Sequence, residues 1–226
     1  EETNHHYCAA LADRGYVVFN INYRLVPDVT VNQQLQDVAR ALRWIRDHGS
    51  QYPCDMHNIR LTRDSAGGQL AAYSAVLMQS AQLRKTFDTV DPQMELTALL
   101  LTSPVAFMRD GGLFSLYTKP MWGTDYKDKA TYPYMDFDQI IDYAQALPPT
   151  YLITSSGDTL ANKQTHRLYE VLQAHGVQAE IKDYAKAEYN QSLPHVFSVL
   201  QPFEPAGTAA IDKALAFYQK AMTAKA

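Results

Sequence analysis

The sequence predicts an α/β fold, a mostly parallel sheet with helices on both faces. Three observations carry that expectation. Short β-rich runs alternate with helical patterns along most of the chain, the order that parallel strands joined by crossover helices produce. One run, Leu96 to Thr102, is apolar almost throughout and is therefore covered on both faces. The 226 residues are 46% hydrophobic and 19% charged, enough to bury a sizeable core.

Residues 4–13 read as a short helix that Gly15 ends, since a residue without Cβ fills the C′ position cheaply. Tyr16 to Asn22, aromatic and β-branched, reads as a buried strand. Leu35, Val38, Leu42 and Ile45 fall at helical spacing, so residues 33–48 form an amphipathic helix that Gly49 stops. Ile59 to Thr62 is a second strand, and a helix follows at once from about Ala66 to Ala81. Leu96 to Thr102 is the third strand and Tyr151 to Thr154 the fourth, followed by a helix over 160–175 that Gly176 terminates. Val177 to Tyr184 is the fifth strand, and a helix over about 207–223 closes the chain. No repeat or Gly/Ser linker divides it, so residues 1–226 read as one domain.

One stretch breaks the rhythm. Between Pro104 and Pro148 lie Phe107, Phe114, Tyr117, Trp122, Tyr126, Tyr132, Tyr134, Phe137 and Tyr143. Connections this long in compact domains are functional or disordered, and so many rings argue for burial. A lid or cap over a pocket, at about 106–147, is the expectation; ordinary peripheral packing is the alternative.

Composition excludes several functions. With net charge −4 and a pI near 6.0, no basic field invites nucleic acid. No run approaches the roughly 18 apolar residues of a membrane span. Cys8 and Cys54 are too few for a disulfide scaffold, which points to a reducing, cytoplasmic setting. The chain opens Glu1-Glu2-Thr3, with neither Met nor a secretory pattern, as a processed or trimmed sequence would. His5, His6 and Cys8 lack the spacing of a zinc site, and Gly111-Gly112 lacks a phosphate-loop context. His48, His57, His166 and His175 are scattered and read as surface residues.

The chemistry concentrates at Arg63-Asp64-Ser65-Ala66-Gly67-Gly68, where a strand turns into a helix. Such a turn pushes the serine Oγ above the sheet edge, beside the free N–H groups and positive dipole end of the helix. Ser65 could equally be a helix N-cap. A nucleophilic serine needs a base, and the base needs an orienting carboxylate. Asp158 follows the fourth strand and His195 follows the fifth, so all three sit beyond the carboxyl ends of parallel strands, where such sheets form their ligand crevice. Singly, Asp158 reads as a cap and His195 as a loop residue; together, in the order Ser, Asp, His, they read as a triad.

These residues resemble the hormone-sensitive-lipase-like branch of the α/β-hydrolases. Tyr23-Arg24-Leu25-Val26-Pro27-Asp28 resembles its Tyr-Arg-Leu-Ala-Pro-Glu segment. Asp64-Ser65-Ala66-Gly67-Gly68 matches all but the first residue of its Gly-Asp-Ser-Ala-Gly-Gly elbow. Asp158-Thr159-Leu160 matches its Asp-x-Leu, and His195-Val196-Phe197 resembles its His-x-Phe. The resemblance implies an α/β-hydrolase fold and a carboxylesterase or lipase acting on short- to medium-chain esters. Catalysis would run through Ser65, His195 and Asp158, with the Ala66 N–H as oxyanion donor and no metal or organic cofactor. It also implies a small-molecule ester as partner and a possible homodimer.

Two departures from the family pattern support a rival reading, a catalytically impaired hydrolase-fold binding protein. Arg63 stands where the elbow has its first glycine, a position where a side chain either strains the turn or points outward. The family's upstream His-Gly-Gly-Gly segment, a second source of oxyanion N–H groups, does not occur within residues 1–226, where His5-His6 is followed by Tyr7 and Cys8. The first strands of the family's sheet are likewise not found here, which would leave an edge exposed.

Overall fold

Four parallel strands make the sheet that carries the site: β1 (Arg60–Asp64), β2 (Ala98–Thr102), β3 (Thr150–Ser155) and β4 (Ala179–Tyr184). The structure is a computed structural model and describes residues 2–109 and 115–223. Spatial order follows sequence order, with Thr62 opposite Leu100, Leu101 opposite Leu152 and Leu152 opposite Ile181. The helices are α1 (Glu2–Ala12), α2 (Val31–His48), α3 (Ser65–Leu77), α4 (Ala81–Phe87), α5 (Ser115–Trp122), α6 (Asn162–Ala174), α7 (Lys186–Tyr189), α8 (Phe197–Leu200) and α9 (Pro205–Thr223).

Strand alternation divides the core into two layers. Leu99, Leu101 and Leu152 pack with Leu35, Val38 and Leu42 of α2, Leu70 and Tyr73 of α3, Phe87 of α4 and Leu168 of α6. Ala98, Leu100, Tyr151 and Ile153 face the other way, onto Tyr7 and Leu11 of α1, Phe197 of α8, and Ile211, Phe217 and Tyr218 of α9. Side chains of successive strand residues point to opposite faces, so β2 can be wholly buried only because helices cover both.

The elements expected from sequence are present with three corrections. Residues 16–22 are not a buried strand: they pair with no ladder, and none of them is buried. Val18, Ile21 and Tyr23 instead share with Leu61, Thr62 and Arg63 the lining of a cleft of about 370 Å³, and β1 is an edge strand with every residue half-buried. The helix expected to run to Ala81 ends at Leu77; the Ser80 hydroxyl accepts the Leu83 N–H (3.2 Å) and starts α4. Gly15 and Gly176 end their helices at φ +85° and +70°, but Gly49 does not stop α2 that way. It keeps helical angles (φ −58°) and leads into a 3-10 turn, and its missing side chain makes room for Met56.

The aromatic stretch becomes α5 followed by 3-10 turns over 126–128, 132–134, 137–139 and 141–143. Phe107, Trp122 and Phe137 are buried, and Tyr126, Tyr132, Tyr134 and Tyr143 lean on the same core layer as α3. The Tyr73 hydroxyl donates to the Tyr134 carbonyl (3.0 Å) and fixes the stretch to α3. Tyr117 is exposed; Phe114 and Gly111-Gly112 lie outside the described residues. Among the described residues, no helix is long and apolar enough to cross a membrane.

Candidate active site

β1 ends at Asp64 and α3 begins at Ser65, so the nucleophile candidate is the hinge of the strand-to-helix turn. Ser65 takes φ +51°, a left-handed conformation that costs a residue with a side chain roughly 1–3 kcal/mol and persists only where its surroundings enforce it. The Val105 N–H donates to the Ser65 carbonyl (3.1 Å) and is part of that enforcement. Gly68 lets the new helix sit against Pro104, where a Cβ would stand 2.9 Å from the proline Cβ. The Ser65 hydroxyl does not cap α3, whose cap position is Asp64 with no side-chain cap bond. It lies 2.9 Å from His195 Nε2 instead.

His195 Nδ1 lies 2.9 Å from Asp158 Oδ2. Asp158 accepts only, so Nδ1 carries the proton and donates, which leaves Nε2 free to accept the Ser65 hydroxyl proton. The other carboxylate oxygen, Oδ1, accepts the backbone N–H groups of Leu160 (3.0 Å) and Ala161 (2.9 Å). Asp158 is not the cap of α6, a position that Ala161 holds; one carboxylate oxygen anchors the turn before that helix and the other meets His195. Burial pushes the Asp158 carboxyl up, but the hydrogen bonds from His195 and Ala161 outweigh it and hold the group below its ordinary value. Asp158 is buried, while a quarter of the His195 side chain remains exposed.

Arg63 does not strain the turn at its own backbone: it lies in β1, in register with Leu101, and the left-handed angle belongs to Ser65. Its side chain crosses Gly67, runs 5.8 Å from the Tyr23 ring, and reaches Asp64 Oδ1 at 3.8 Å. The Ala66 N–H belongs to the first turn of α3, where N–H groups lack intrahelical acceptors. Two buried polar residues that the sequence did not single out hold the loop after β2 at residues 107–109, Gln164 on α6 and Asp136 in the aromatic stretch. Gln164 shares a helix face with Leu168 and Leu172, and a polar residue on an apolar stripe was the available signal. Asp136 carried only the capping pattern it makes with Gln139 three residues on.

The sequence profile of the α/β-hydrolase fold family matches residues 1–193. The chain belongs to the α/β-hydrolase fold family. The hormone-sensitive-lipase-like branch is the part of that family to which its motifs and relatives assign it. It superposes on the tributyrin-phosphonate-inhibited esterase B from Lactobacillus rhamnosis with a TM-score of 0.90, at 30% identity, over 98% of this chain and 71% of that one. The probable carboxylic ester hydrolase LipM of Mycobacterium tuberculosis is 27% identical over 217 residues, 94% of this chain and 49% of LipM. The acetyl esterase of Salmonella choleraesuis is 24% identical over 185 residues, 75% of this chain and 54% of that enzyme. The α/β-hydrolase chain described here therefore spans about half the length of these two curated relatives.

Proposed function

We propose that this α/β-hydrolase is a serine carboxylic ester hydrolase acting on short- to medium-chain esters through Ser65, His195 and Asp158. The observation that carries the reading is the unbroken chain from Asp158 Oδ2 through both ring nitrogens of His195 to Ser65 Oγ, at 2.9 Å on each link. That is the arrangement in which a weak hydroxyl becomes a nucleophile at neutral pH. Support for short acyl groups comes from relatives described as an acetyl esterase and as an esterase inhibited by a tributyrin phosphonate.

In this mechanism Ser65 Oγ attacks the ester carbonyl carbon as its proton passes to His195 Nε2. The Ala66 N–H faces the oxyanion, where one such donor is worth roughly 10²–10³ in rate. The imidazolium, stabilised by Asp158, returns its proton to the departing alcohol oxygen and leaves an acyl-Ser65. Water, deprotonated by the same Nε2, releases the acid and restores Ser65. Arg63 gives the impaired reading little support, because its side chain lies over Gly67 without a left-handed backbone of its own.

Labelling with a fluorescent alkyl phosphonate tests the assignment. Stoichiometric attachment to the parent, mapped to the Ser65 peptide and absent from Ser65→Ala, is expected. Attachment elsewhere, or equal labelling of both proteins, would refute it.

A further inference from the structure

The loop that follows β2 is tied down at every residue from Val105 to Arg109, Ala106 accepting the Phe137 N–H at 3.0 Å, and one tie comes from α6, which begins shortly after Asp158. Val105 donates its N–H to the Ser65 carbonyl (3.1 Å). Two residues on, Phe107 donates its N–H to Gln164 Oε1 and its carbonyl accepts from Gln164 Nε2, both at 3.0 Å. The Gln164 amide thus pairs both backbone groups of Phe107, beside the antiparallel bridge of Phe107 with Asp136. Met108 and Arg109 then give their N–H groups to Asp136 Oδ1, at 2.6 and 3.0 Å. Gln164 and Asp136 are both buried, and the Arg167 guanidinium lies 3.9 Å from the centre of the Phe107 ring.

Gln164 lies in the first turn of α6, six residues after Asp158, whose Oδ1 receives the N–H groups that lead into that helix. A continuous set of contacts therefore runs from the acid, through the start of α6 and the Gln164 amide, to residues 105–107 and back to the nucleophile's carbonyl. Ser65 has a left-handed backbone that its surroundings must enforce, and Val105 is the neighbour that holds its carbonyl.

We infer that Gln164 is a positioning residue of the active site: its two-point grip on Phe107 holds residues 105–107 where they keep the strained Ser65 aligned with His195. This rests on the proposed role of Ser65. Gln164 touches neither substrate nor triad and acts through the Phe107 backbone. Losing the grip lets Val105 retreat from the Ser65 carbonyl, and Oγ swings away from Nε2. Misplacement by about an ångström can cost as much as 10²-fold in rate, far more than it costs in binding.

The test uses two variants of the whole chain. Gln164→Met keeps the volume and removes both bonds; Gln164→Glu keeps the acceptor and removes the donor. Each is compared with the parent and Ser65→Ala for p-nitrophenyl butyrate kinetics, for the second-order rate of labelling by the alkyl phosphonate, and for folded fraction by circular dichroism. Expected, per folded molecule, is a fall of roughly ten- to a hundredfold in both kcat and labelling rate, with KM changed less than about threefold. If Gln164→Met does not fold, Gln164→Glu decides alone. Folded variants with parental kcat and labelling rate, even at lowered melting temperature, would overturn the inference and leave Gln164 a stabilising residue only. Labelling of the parent away from Ser65 would instead refute the triad reading.

Discussion

The Arg63 side chain lies across Gly67, and it lies there because residue 67 has no side chain. A Cβ built on Gly67 would collide with Arg63 Cγ and stand 2.5 Å from Nε. The elbow tolerates a large residue at the first of its three glycine positions by keeping Gly67 empty. From the first position alone, strain at Arg63 would be the natural expectation, but the strained residue is Ser65.

Gly67→Ala therefore tests the pair. It should destabilise the chain by about 1–3 kcal/mol, the cost of overpacking, and the loss should shrink when Arg63→Ala is present as well. Urea melts of the two single variants and the double variant measure the coupling. Strictly additive effects would show that Arg63 and Gly67 do not share the space.

Arg63→Gly should leave kcat within a few-fold of the parent and lower stability by about 0.5–1 kcal/mol, since glycine is unfavourable inside a strand. A marked rise in both rate and stability would mean that Arg63 distorts the elbow after all.

Asp158→Asn should reduce kcat by roughly 10³–10⁴-fold, because an amide can donate to Nδ1 and so stabilise the wrong imidazole tautomer. The carboxyl is held below its ordinary value, so its contribution to stability is present above the ordinary carboxylate range and is lost as pH falls through the lowered value. Thermal melts across that acid range should show the parent losing stability more steeply than Asp158→Asn. Parallel curves would contradict the electrostatic account of the Asp158 site.

Asp136 gives the opposite sign. Burial, helped by the nearby Asp138 charge, pushes its carboxyl above the ordinary value against the hydrogen bonds from Arg109 and Met108. Its favourable share of stability is complete below the ordinary value near 3.9 and is lost as pH rises through the raised one. Asp136→Asn keeps an oxygen for both N–H groups and removes the charge, so its melting temperature relative to the parent should rise between about pH 4 and pH 7. A flat or falling difference would show that the ionised form is welcome there.

Much of this was legible in the sequence because it is local. The turn at 63–68 is a strand end, a serine and two glycines in a row, and Asp158 and His195 follow strand patterns at the same rim. What was hidden depends on partners far along the chain. Tyr16 to Asn22 has strand chemistry, but a strand needs a ladder, and no composition says which backbone will lie alongside. The clamp of Gln164 and Asp136 on residues 107–109 joins segments 27 to 57 residues apart, and only the folded chain brings them together. The break at Leu77 was locally visible in Ser80, whose capping role competes with its place in a longer helix.

The most direct measurement of the central claim is p-nitrophenyl butyrate hydrolysis by the parent chain, with Ser65→Ala run beside it under identical conditions. The account predicts turnover by the parent that falls to background in the variant while the variant keeps its fold. Equal turnover by both folded proteins, or none by a folded parent, would contradict it.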